Sequence, residues 1–180
     1  MVEEARLGTL EGGRYPETEG WFVLNTREAL WWQSERAGRY VRFEGKEAAR
    51  FPEFGINIHV LAPGEPNCMY HGEDVQEDFL VLSGECLLLV EGEERRLRAW
   101  DFVHCPAWTE HVFIGAGEGP CAILMVGSRK RDDPVRYPVS ELAKRHGASV
   151  EKETTDPREA YAGWGELEPV PYREGDLPGT

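Results

Sequence analysis

Residues 64–115 read GEPNCMYHGEDVQEDFLVLSGECLLLVEGEERRLRAWDFVHCPAWTEHVFIG. Short apolar runs, Phe79-Leu-Val-Leu82 and Leu87-Leu-Leu-Val90, are cut by Ser83-Gly84 and Glu91-Gly-Glu93, which is turn chemistry. No run is long enough for a buried helix, and no 3.6-residue period connects them. The same rhythm extends outward. Strands are predicted at Arg39–Phe43, Ile56–Leu61, Met69–His71, Asp78–Leu82, Glu85–Glu91, Arg95–Arg98, Phe102–Cys105, His111–Ile114 and Ala122–Gly127. Many short strands without intervening helices predict an all-β antiparallel sandwich or barrel.

The flanks read differently. Trp21–Leu24 has the composition of a short strand. Asn25-Thr-Arg-Glu28 has capping-box spacing ahead of helix-forming sequence from Arg27 to Arg36, with Gly38 as the stop. Trp31 and Trp32 are adjacent and cannot both face one core. Beyond Arg131-Asp-Asp-Pro134, Ser140 to Gly147 predicts a short helix, and Asp156-Pro157 opens another as N-cap and first helical residue. Gly163 to Thr180, rich in Gly, Pro and Glu, reads as a surface tail. The expected organisation is an N-terminal extension (1–38), a barrel (39–130) and a C-terminal helical and extended tail (131–180).

Several central strands are apolar on both faces, Ala122-Ile-Leu-Met-Val126 among them. A strand with one face in water alternates, so a second layer must cover these. The N-terminal segment or a second copy of the chain would serve, and a homodimer is the expected arrangement.

Composition narrows the partners. Twenty Lys and Arg stand against 33 Asp and Glu, a net charge of −13. That field disfavours nucleic acid and anionic membrane surfaces. The first twenty residues carry no apolar stretch behind a basic start, and no segment approaches the ~18 apolar residues of a spanning helix. The four cysteines (Cys68, Cys86, Cys105, Cys121) form no C-x-x-C pair and read as reduced thiols, so a cytoplasmic location is expected.

The chemistry-bearing residues follow the period of two. Met69, His71 and Glu73 share one parity, as do Glu77, Phe79 and Val81, and later His111 and Phe113. If Phe79 faces inward, Glu77 points inward at the mouth, where a charged carboxylate needs a partner or a metal. A slip of one residue would bring Gln76 in instead. Glu73 reads as either a ligand or a solvated turn acid, and His104 as either a pocket residue or a surface one. Tyr70, Phe79 and Phe113 are further candidates for lining the pocket. His59 and His146 read as hydrogen-bonded structural residues.

These phrases resemble the two motifs of the cupin superfamily. Gly64, His71-Gly-Glu73, Glu77 and Gly84 follow its first motif, with Glu73 where a second histidine is usual. Trp100, Pro106-Ala-Trp108, His111 and Gly115 follow its second, with tryptophans at two glycine positions. The resemblance implies a jelly-roll barrel holding a divalent metal ion on His71, Glu77 and His111, with Glu73 as a further ligand by position. Two imidazoles and one carboxylate suit Fe(II), a second carboxylate favours Mn(II) or Fe(II), and Zn(II) accepts the same donors. The implied functions are dioxygenase, isomerase or decarboxylase chemistry on a small oxygenated molecule. A non-catalytic module binding a sugar or organic acid is the alternative, and a purely structural dimer the third.

Overall fold

Phe79 and Val81 point one way from their strand and are buried, while Leu80 and Leu82 point the other. That parity organises the computed structural model, which describes residues 1–130 and 134–178. The N-terminal part holds β1 (Leu7–Leu10), β2 (Gly13–Pro16), β3 (Trp31–Gln33) and β4 (Arg39–Arg42). The centre holds β5 (Phe54–Leu61), β6 (Gly72–Glu73), β7 (Glu77–Ser83), β8 (Glu85–Val90) and β9 (Glu93–Arg98). Then come β10 (Phe102–Cys105), β11 (His111–Ala116), β12 (Cys121–Ser128) and β13 (Val135–Arg136). Single helical turns α1 (Glu141–Lys144) and α2 (Pro157–Ala160) precede β14 (Glu168–Val170).

All strand pairs are antiparallel. The large sheet runs β10-β7-β12-β5-β4-β3-β14 and the smaller one β11-β8-β9. Between them lie Leu61, Phe79, Val81, Ile123 and Met125 from the first, with Cys86, Leu88 and Phe113 from the second. The predicted central strands are therefore present, several of them a residue or two longer, except Met69–His71, where His71 forms an isolated bridge to His111 and the short β6 begins at Gly72. Hydrogen bonding does not close the sheets into the expected barrel; β10 and β14 remain as edges of the large sheet. Gly84 makes the tight link from β7 to β8. Its φ is 72°, and a Cβ there would stand 2.5 Å from the Pro120 carbonyl oxygen.

The predicted N-terminal helix is not formed. Asn25 Oδ1 accepts from the Arg27 amide at 3.0 Å, a local turn rather than a cap, and the chain then enters β3. Pairing with β4 and β14 satisfies the backbone of Trp31–Gln33, so tertiary partners override helix propensity. The two tryptophans do separate: Trp31 is fully buried, and Trp32 lies under the Arg42 guanidinium. Trp21–Leu24 contributes only a bridge from Trp21 to Glu4. Among the described residues the C-terminal helices are single turns, capped by Ser140 and, as predicted, by Asp156, and no helical extension is built at either end.

The two-sided strands are covered from within the chain. Ala122 and Leu124 pack with Trp31, Val41, Leu24 and the tail residues Val170, Tyr172 and Leu177. Leu87 and Leu89 lie under Tyr70, Leu142, Ala143 and Ala148. The physical reason for expecting a second copy over these faces thereby lapses. The tail runs along the surface as expected and is anchored there: Asp176 is buried and accepts from Arg39 at 2.8 Å. The expected domain boundary at 131 falls outside the described residues. No described helix is long and apolar enough to cross a membrane, and all four cysteines are free.

Candidate metal centre

His71 and His111 face each other across a backbone bridge, each amide donating to the other's carbonyl at 3.2 and 2.8 Å. Directly opposed residues of antiparallel strands project to the same side, so both imidazoles leave the backbone together. Their ring centroids are 5.0 Å apart. Glu77 arrives from the first position of β7, beside Cys105 on β10 and Gly127 on β12. A Cβ on Gly127 would lie in ordinary van der Waals contact with the Glu77 side chain, at 3.6 Å. Phe79 and Phe113 form the floor, with the Phe79 ring 5.1 Å from that of His111.

Both imidazoles are oriented by the backbone. His71 Nδ1 lies 2.8 Å from the Met69 carbonyl oxygen, and His111 Nδ1 lies 2.9 Å from that of Thr109. A carbonyl only accepts, so each Nδ1 carries a proton and each ring turns its Nε2, the nitrogen that would bind an ion once unprotonated, into the site. There His71 Nε2 stands 3.5 Å from Glu73 Oε1, and His111 Nε2 stands 3.5 Å from Glu77 Oε2. One donor atom each from His71, Glu77 and His111 falls within 4.8 Å of the other two. Both distances exceed a good hydrogen bond, so the groups converge without satisfying one another.

Electrostatics reports the same tension. Burial pushes His111 down to about 4 and Glu77 up to about 7, each disfavouring its charged form. Burial also lowers His71, but the Cys68 sulfur and the Glu73 and Glu77 carboxylates outweigh it and leave it raised. Glu73 is lowered, first by the neighbouring His71 imidazole. Its side chain is 33% exposed against 17% for Glu77, so the carboxylates line the solvent side of the cluster.

The remaining candidates separate clearly. Gln76 points outward, its amide donating to Asp78 at 2.5 Å, which settles the one-residue ambiguity in favour of Glu77. His104 sits on the outer face of β10, paired with Asp78 at 2.7 Å, away from the cluster. Tyr70 packs on the outer face under α1, with its hydroxyl accepting from the Gly92 amide at 3.3 Å, and does not line the site. Sequence reasoning missed Cys68, whose sulfur is 3.6 Å from His71 Nδ1, and Tyr137, whose ring is 5.9 Å from that of His71. Cys68 had a signal in its spacing of three from His71. Tyr137 had none, because its approach depends on β13 pairing with β6.

This arrangement has relatives. The family model described as "Cupin domain" matches residues 57–127, the segment that carries all four of these histidines and glutamates. The chain carries a cupin domain. A proposed sugar phosphate isomerase of Acidithiobacillus ferrooxidans is 24% identical, with 74% of this chain and 76% of that one covered and a TM-score of 0.51. The polyketide cyclase RemF of Streptomyces resistomycificus is 16% identical, covering 64% of this chain and 84% of that one, with a TM-score of 0.52. At these identities the likeness establishes the cupin fold alone. No curated protein matches the chain.

Proposed function

We propose that His71, Glu77 and His111 hold one divalent metal ion, with Glu73 as a fourth donor, and that the centre acts on a small oxygenated molecule. The observation that carries this reading is the pair of Nδ1–H···O=C bonds at Met69 and Thr109, which present two Nε2 lone pairs to a carboxylate. The donor set fits Fe(II), Mn(II) or Zn(II), since all accept imidazole and carboxylate. Bound there, such an ion supplies Lewis-acid polarisation of a substrate oxygen. The chain supplies the rest. Phe79 and Phe113 keep water from the floor, and the backbone carbonyls hold the imidazoles in one tautomer. Glu73 Oε1, at the exposed edge beside His71, is placed to take a proton from a bound molecule or return one. Proton-transfer chemistry of the isomerase or decarboxylase type therefore suits the site better than a passive binding module. Elemental analysis of the purified protein tests the centre: about one divalent ion per chain is expected. Unchanged metal content in both His71→Ala and His111→Ala would refute it.

A further inference from the structure

Trp100 and Trp108 have φ of 75° and 69°, in the left-handed region that glycine occupies freely and bulky residues avoid. Both turns are pinned by the backbone, the Trp100 amide donating to Val81 at 2.7 Å and that of Trp108 to Glu73 at 2.6 Å. Trp100 is 74% exposed and Trp108 44% exposed, so both indoles leave a large apolar surface to solvent. A bulky aromatic held on strained backbone with that much of its ring uncovered is costly to keep for packing alone.

Trp108 differs from Trp100 in what surrounds it. It lines an open surface depression of about 770 Å³, which among the described residues is completed by Pro134, Val135, Arg136, Thr155 and Pro157. That volume is of small-molecule size. The cavity abuts the metal centre through the backbone: Trp108 bonds to the Glu73 carbonyl, and Val135 pairs with Glu73 in register. Its walls are an indole face, two proline rings and a valine, with a guanidinium and a hydroxyl as the polar groups. Among the described residues Arg136 is engaged by Glu110 through Nη2, and its side chain remains 44% exposed. A guanidinium has five N–H donors, so others are available to an anion.

We propose that this cavity is a binding site for a flat, apolar molecule bearing a carboxylate, its ring stacked on Trp108 and its carboxylate held by Arg136. The metal-centre reading is needed only for calling that molecule the substrate; the binding itself does not depend on it.

The probe is 2-naphthoate, titrated by saturation-transfer NMR or equilibrium dialysis, with 2-naphthylmethanol as the same ring without charge. Trp108→Gly and Trp108→Asn are expected to weaken 2-naphthoate at least about tenfold. Trp108→Gly should do so with Tm unchanged or raised, because glycine relieves the backbone. Trp100→Gly is the control: affinity unchanged, Tm likewise unchanged or raised. Arg136→Gln should weaken 2-naphthoate more than 2-naphthylmethanol. The wild-type titration should give the same affinity after EDTA treatment, so failure of the metal reading, judged on metal content, is separately visible. Wild-type affinity for 2-naphthoate in both Trp108 variants, or no saturable binding by the wild type up to millimolar probe, would overturn the proposal.

Discussion

Glu73 is the residue at which the centre is most open to experiment. It lies 3.5 Å from His71 Nε2 yet stands apart from the three donors that converge within 4.8 Å. As a fourth donor it contributes charge, so Glu73→Gln should lower affinity for Mn(II) while leaving the fold unchanged. Glu73→His should restore binding and shift preference toward Zn(II) or Cu(II). Calorimetric titration of the metal-free protein checks both, and unaltered isotherms would confine the centre to three residues. A second residue-scale prediction concerns Glu44, whose carboxylate accepts from both Nη1 and Nη2 of Arg129. Burial raises its pKa, but the Arg129 hydrogen bonds and the Phe51 amide outweigh that, and the net shift is downward. A folded-state pKa below the unfolded value gives stability that is present above the ordinary value of 4.5 and is lost as pH falls through the folded one. Glu44→Gln should therefore cost about 1–3 kcal/mol at neutral pH, and urea melts below pH 4 should show wild type and variant converging. The trio His71, Glu77 and His111 was legible in the sequence because parity and motif spacing both select it. Tyr70 and His104 stayed open between pocket and outer face because parity says which residues share a face, not which face is inside.

At the scale of elements, β3 and β14 carry the lesson. Arg27 to Arg36 has good local helix chemistry, yet Trp31–Gln33 forms a strand because β4 and β14 offer ladders on both sides. Nothing within ten residues of Trp31 encodes a partner more than a hundred residues away. The tie that holds this edge is Arg39, whose Nε donates to Asp176 at 2.8 Å and whose Nη2 donates to the Pro171 carbonyl at 2.5 Å. Asp176 is 3% exposed and also accepts from Arg173 Nε at 2.9 Å, whereas Arg39, 8% exposed, has Asp176 as its carboxylate partner, so removing Asp176 strands the Arg39 charge. Asp176→Ala should cost about 3–5 kcal/mol, read as a lower urea midpoint. Arg39→Met with Asp176→Leu should recover much of the loss, since an apolar pair of similar size has no charge to desolvate. Full stability in Asp176→Ala would mean the tail does not hold this edge.

For the whole molecule, the ends of the chain act as the second layer. Val170, Tyr172 and Leu177 cover Ala122, Trp31 and Val41, while Ala143 and Ala148 cover Leu89 and Val112. Truncation after Gly163 should expose the first of these faces and leave Arg39 without its carboxylate. A broadened, less cooperative thermal transition and dye binding to exposed apolar surface are expected; a sharp melt at the wild-type Tm would show that the tail is dispensable. The sequence by itself determined that the chain is a β protein of short antiparallel strands, where nearly all the central strands run, and which residues of each strand share a face. Those properties are local: turn residues mark strand ends, and a period of two assigns shared faces. Only the tertiary structure decided that Glu77 rather than Gln76 faces in, that the N-terminal helix gives way to a strand, and that the chain covers its own apolar faces. Each of those depends on pairings between segments far apart in sequence, whose energies appear only once the sheets are assembled.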